Sequence, residues 1–115
     1  MERDMELIRQ ITLALLKGHL NGLPDVDGKL FSYHAKLMID AGLAEGALMA
    51  PQRGIPSAAT LWCLTWAGHD FADAIKSDTI WNTVKARVIK PAASWTFGIL
   101  LDCLRSEITR TINPG

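Results

Sequence analysis

Residues 29 to 65, KLFSYHAKLMIDAGLAEGALMAPQRGIPSAATLWCLT, restrict the fold more than any other stretch of the chain. Leu30, Tyr33, His34, Leu37, Met38 and Ala41 recur at helical spacing over 29–41, and Lys29, Ser32, Lys36 and Asp40 share the opposite face. Gly42 stands where a helix end takes a left-handed residue, and Leu43 where an apolar side chain folds back on the last turn. The segment PQRGIPSA (51–58) holds two prolines and a glycine in eight positions and cannot be helix. It separates two runs, 46–50 and 59–64, that read as short strands. In the second run Thr60, Trp62 and Leu64 are expected to point one way, and Leu61 and Cys63 the other. Both sets are apolar, so the strand is either covered on both sides or displays Trp62.

The remaining segments surround this unit. Residues 4–18 predict a first helix capped by Asp4, with Met5, Ile8, Ile11 (or Thr12) and Leu15 as its stripe, widened by Leu7 and Ala14. Glu6 suits its positive end, and Lys17 and His19 the other. The loop HLNGLPDVDG (19–28) follows. Thr65 caps a third helix over 66–77, with Ala67, Phe71, Ala74 and Ile75 inward, and Ser77-Asp78 offers a stop and a new cap. A fourth helix over about 79–89 turns Ile80, Trp81, Val84 and Val88 inward and stops before Pro91. Ser94 caps a last helix over about 95–112, with Phe97, Leu100, Leu101, Leu104, Ile108 and Ile112 on one face, and residues 113–115 fray. A helix followed by a paired ribbon is the second half of a winged-helix unit. The expected fold class is therefore α+β, mainly helical: a winged-helix-like domain with a two-stranded β-wing and extra C-terminal helices. Its 115 residues fit a single domain, with 1–77 as the helix-helix-wing-helix core and 78–115 as a helical extension.

Composition narrows the functional classes. With 49% hydrophobic residues the chain can bury a core without staples. Cys63 and Cys103 lie 40 positions apart, which suits two buried thiols in a reducing compartment better than a disulfide framework. The start, MERDMELIRQ, lacks the basic and apolar runs of a signal peptide. No window reaches 18 apolar residues without charge. A soluble, cytoplasmic protein is expected. The 12 basic and 12 acidic residues cancel, but unevenly: residues 1–75 carry a net of −3 and residues 76–115 a net of +3.

YHAKLMIDAGLAEG (33–46), LTWAGHDFADAIKSDTIWNTVK (64–85) and the opening RDMELIRQI (3–11) together resemble a family of small bacterial and phage proteins known as domain of unknown function 2513. The likeness covers roughly residues 1–90, and the AGLxxG and LTWxGHDF blocks are specific in combination. The resemblance implies a winged-helix-like fold and a bacterial, prophage or phage setting. It carries over no catalytic residue.

None of GxxxxGK[ST], GxGxxG, HExxH or GxSxG occurs. The expectation is a protein that is not an enzyme, has no cofactor and takes no small-molecule substrate. His69 and Asp70 are the only hint of acid–base chemistry, but neighbours on a helix do not face each other, so anchoring the wing is the better role. His34, on the apolar side, reads as a hydrogen-bonded core residue. Cys63 and His69, six apart, match no zinc spacing.

Two macromolecular readings remain. The favoured one is a protein-binding adaptor, or a self-associating protein such as a homodimer, whose interface is Trp62, Trp95, Phe97, Leu101, Leu104 and Ile108. The alternative is a winged-helix DNA-binding transcriptional regulator. It would place Lys29, Ser32 and Lys36 in a groove, Gln52 and Arg53 on the wing, and Lys85, Arg87 and Lys90 on phosphates. Two glycines and a proline in 19–28 leave no room for a scaffold helix, so the DNA-reading unit looks truncated.

Overall fold

The computed structural model describes residues 3–18, 28–49, 51–52, 55–56, 58–89 and 97–112. Over these the chain is α+β and mainly helical. Its elements run α1 (Met5–Leu16), α2 (Gly28–Asp40), β1 (Ala44–Leu48), β2 (Pro51–Gln52), β3 (Ile55–Pro56), β4 (Ala59–Leu64), α3 (Trp66–Ile75), α4 (Asp78–Val84), a π-helical turn (Lys85–Ile89) and α5 (Phe97–Ile112). Contacts divide the chain into two units, Met1–Ala72 and Asp73–Gly115. The loop at 19–27, Arg53, Lys90, Pro91, Ser94, Trp95 and residues 113–115 lie outside the described residues.

In the first unit α1 begins where Asp4 accepts hydrogen bonds from the N–H groups of Glu6 and Leu7, satisfying two donors that a helix start otherwise leaves free. Met5, Leu7, Ile8, Ile11 and Thr12 are buried, and Leu15 and Ala14 only half so. Each large aliphatic side chain withdrawn from water in this way stabilises the fold by about 1.5–3 kcal/mol. The buried Thr12 hydroxyl donates to the Ile8 carbonyl at 2.7 Å.

In α2 the buried residues are Ser32, His34, Ala35 and Met38. Leu30, Tyr33 and Leu37 are half-buried and Ala41 is exposed, so the inward face is turned toward Ala35 from the expected one. His34 is fully buried and bonded at both nitrogens. Its Nε2 accepts from the Asp4 N–H at 2.8 Å, so Nδ1 carries the proton and donates to the Leu30 carbonyl at 2.8 Å. The histidine thus ties the start of α1 to α2.

The end of α2 depends on Gly42. At φ +75°, a backbone angle that a Cβ disfavours, it lets the Leu43 N–H reach the Met38 carbonyl at 2.9 Å and its own N–H reach Ile39 at 3.0 Å. Leu43 is then buried, as expected. The chain passes directly into β1, which pairs antiparallel with β4; β2 and β3 pair in the same register beyond them, with the Met49 N–H donating to the Ala58 carbonyl between. The two pairs are one hairpin ribbon, and α2 packs on both β1 and β4 as well as on β3. Pro56 is fully buried.

The ribbon contains one irregularity. Glu45 faces Cys63 while Gly46 faces Leu61, leaving Trp62 as the extra residue of a β-bulge. Strict alternation therefore fails in β4. Leu61 and Leu64 are buried, and Trp62 and Cys63 are both exposed. The expected pairing of Trp62 with Leu64, and of Leu61 with Cys63, is corrected for that reason. The expectation of two buried thiols is corrected too: Cys63 is exposed and Cys103 half-buried, and both are free.

Thr65 joins ribbon to helix. Its hydroxyl accepts from the Gly68 N–H at 3.1 Å as the cap of α3 and donates to the Gly42 carbonyl, while its own N–H donates to the Leu43 carbonyl at 3.0 Å. Gly68, Phe71, Ala72, Ala74 and Ile75 line the buried side of α3, and Ala67 is exposed.

In the second unit Ser77 caps α4 by accepting from the Ile80 N–H. α4 and the π-helical turn pack on α5. Trp81, Val84 and Val88 are buried, as are Leu100, Leu104 and Glu107 on α5. Glu107 binds Arg87 from the π-helical turn and, at 3.4 Å, Arg110 one turn ahead of it.

Candidate functional site

The two most exposed aromatic side chains of the first unit stand on either side of the junction between β4 and α3. Trp62, pushed outward by the bulge, is 65% exposed, and Trp66, the first residue of α3, is 86% exposed. Met49, whose N–H bonds Ala58 farther along the ribbon, is 63% exposed. Isolated exposed apolar residues are ordinary, but two indoles four positions apart are not. Trp66 sits outside because its helix buries the opposite side, through Gly68, Phe71 and Ala72.

Carboxylates flank both indoles. Glu45, the strand partner of Cys63, is exposed and accepts from the Cys63 thiol at 3.6 Å. Asp70 lies one helical turn beyond Trp66 and is exposed. Local desolvation, then the hydrogen bond to Glu45 and the charge of that carboxylate, hold the Cys63 thiol pKa above its ordinary value. Because the side chain is exposed, the two effects of Glu45 are the ones a substitution can isolate.

Among the residues expected to read DNA, Ser32 is 3% exposed. Its assignment to an outward face is corrected: the buried stripe of α2 is centred one position off, and serine is small enough to lie within it. Of the thirteen residues of α2 only Gly28, Lys29 and Asp40, at its two ends, are exposed. Lys36 is bound to Asp40 at 2.6 Å. Lys85 is half-buried, and Arg87 is bound to Glu107. Gln52 pairs in β2, with its side chain outside the described residues.

Among the expected protein-contact residues, Trp62 is displayed but Leu104 is fully buried, and Leu101 and Ile108 are half-buried. Leu104 is corrected as a contact residue, because α5 packs on α4 and the π-helical turn and it lies fully inside. Phe97 begins α5, with its side chain outside the described residues.

His69 and Asp70 are both exposed, so neither anchors the wing; Thr65 and Gly68 do. Sequence reasoning missed Trp66 as a surface residue. The available signal was its spacing, since Trp66, Asp70 and Asp73 recur on the side of the helix opposite Phe71 and Ile75. Among the described residues, no three His, Cys, Asp or Glu side chains lie together as a metal site requires, and no helix is long and apolar enough to cross a membrane.

Comparison with known proteins places the chain. An uncharacterized protein of Haemophilus influenzae strain Rd is 34% identical over 119 aligned positions, covering 97% of this chain and 95% of that protein. No solved structure matches. A family model described as "Hypothetical protein (DUF2513)" matches residues 2–94, and the chain belongs to that family.

Proposed function

We propose that this chain is a non-enzymatic protein-binding module that engages a partner through the outer face of its ribbon. The observation that carries this reading is the display of Trp62 and Trp66, at 65% and 86% exposure, whereas among the described residues Phe71 and Trp81 are buried and Phe31 and Tyr33 half-buried. Tryptophan at a surface is the side chain most enriched among residues that dominate binding energy. The residues that would contact DNA support the reading less: α2 offers no exposed middle, and Lys36 and Arg87 are already paired with carboxylates. An exposed free thiol at Cys63 suits the reducing cytoplasm of a bacterial or phage-infected cell, where such a module would act on a host system.

The test is affinity capture from a bacterial lysate, comparing the native chain with Trp62→Ala/Trp66→Ala. Both positions are exposed, so the variant is expected to keep its thermal melt within about 0.5 kcal/mol of the native stability. A protein held by the native chain and lost by the variant supports the reading. Equal capture by the two refutes it, as would salt-dependent retention of duplex DNA that the tryptophan substitutions leave unchanged.

A further inference from the structure

The patch has a charge as well as a shape. Between Lys36 and Lys76 the sequence holds four acidic residues, Asp40, Glu45, Asp70 and Asp73, and a single cation, Arg53. Asp40 and Asp73 are bound to Lys36 and Lys76. Glu45 and Asp70, the two carboxylates beside the indoles, have no ion pair among the described residues. Trp62 and Trp66 are four residues apart, so their Cα atoms lie within about 14 Å of each other. Each indole thus comes with its own carboxylate: Glu45 across the ribbon from the bulge, and Asp70 one turn along α3.

An aromatic face attracts a cation through its quadrupole, and a neighbouring carboxylate adds a charge-assisted hydrogen bond. We propose that this face docks a basic segment of a protein partner, whose arginine or lysine head groups lie over the Trp62 and Trp66 indoles and pair with Glu45 and Asp70. The inference rests on the protein-binding reading above and names the chemistry of the partner. Nucleic acid fits poorly, because two uncompensated carboxylates repel phosphate. A second copy meeting face to face also fits poorly. The exposed parts of the two indoles amount to roughly 250–400 Å², against about 800 Å² per partner in a standard interface. The same carboxylates would also meet each other.

The experiment titrates the full chain with a five-residue synthetic peptide carrying two arginines, with its lysine and glutamate counterparts, and with a short DNA duplex. It follows the indole N–H signals by NMR, assigned through Trp62→Phe and Trp66→Phe. The arginine peptide is expected to shift both signals saturably while that of buried Trp81 stays in place. Glu45→Gln/Asp70→Asn is expected to weaken this binding about tenfold. The inference is overturned if neither indole responds, if the glutamate peptide or the duplex shifts them equally, or if the double variant binds the arginine peptide as tightly. Light scattering at the NMR concentration separates the remaining occupant, since concentration-dependent dimerisation lost in the tryptophan variants would assign the face to a second copy instead. Should a partner captured through Trp62 and Trp66 bind Glu45→Gln/Asp70→Asn undiminished, the basic-segment inference fails while the protein-binding reading stands.

Discussion

Gly68→Ala is the substitution with the most specific expected outcome. A Cβ at residue 68 would lie 1.9 Å from the Leu43 carbonyl oxygen, 3.0 Å from its carbon and 3.1 Å from the Leu64 Cβ. The obstruction is backbone, so no rotamer relieves it, and α3 must retreat by roughly 1 Å for the contact to become tolerable. Leu43 cannot yield easily, because its N–H is held by Met38 and its carbonyl by Thr65. A retreat of that size stretches three hydrogen bonds past useful length: Thr65 N–H to Leu43, Gly68 N–H to the Thr65 hydroxyl, and that hydroxyl to Gly42. At about 1 kcal/mol each the loss is about 3 kcal/mol. Alanine's better helix propensity returns about 1 kcal/mol. The expected net is a destabilisation of about 2 kcal/mol, read as a urea midpoint lowered by about 1 M in circular dichroism. Gly28→Ala is the control, because a Cβ there meets nothing within 4 Å. It should be neutral or stabilising by up to about 1 kcal/mol. If Gly68→Ala is as stable as the native chain, the close approach of α3 to Leu43 is not what joins ribbon and helix.

Other outcomes follow from the same contacts. Thr65→Val keeps the shape but removes the hydroxyl that caps α3 and holds the Gly42 carbonyl; a loss of about 1–2 kcal/mol is expected in thermal melts, with Thr65→Ser restoring most of it. His34→Ala leaves a void and abandons both the Asp4 N–H and the Leu30 carbonyl, so it should cost about 3 kcal/mol, and amide exchange at residues 4 to 7 should quicken more than in α5. In a Cys103→Ser background, Cys63 should react slowly with a disulfide reagent at neutral pH, and its rate should keep rising at alkaline pH beyond the point where an ordinary thiol levels off, because its raised pKa withholds thiolate. Glu45→Gln should speed that reaction at neutral pH; an unchanged rate would show that the carboxylate does not act on the thiol.

Much of this architecture can be read along the chain because its causes are local. Asp4, Ser77 and Thr65 cap helices through N–H groups two or three residues away, and α2 ends where the N–H groups of Gly42 and Leu43 reach carbonyls three and five residues before them. Hydrophobic spacing located the helices within a few residues for the same reason, and the ribbon followed from prolines and a glycine that forbid helix at 51–58. The surface that matters for binding was decided elsewhere. Whether Trp62 faces in or out depends on a one-residue shift of register against Glu45, on the other strand of the ribbon, and alternation within β4 alone gives the wrong face. Ser32 is inside because β1, β3 and β4 cover α2 from the side that Ala35 and Met38 occupy. Leu104 is lost as a contact residue, and Glu107 buried, because α4 and the π-helical turn close over α5 and bring Arg87 with them. Capping and periodicity are energies between neighbours in sequence, so the chain displays them directly. Exposure is set by which distant segment arrives to cover a side chain, and for Trp62 and Trp66 only the assembled ribbon and helix show that no described segment of the first unit does.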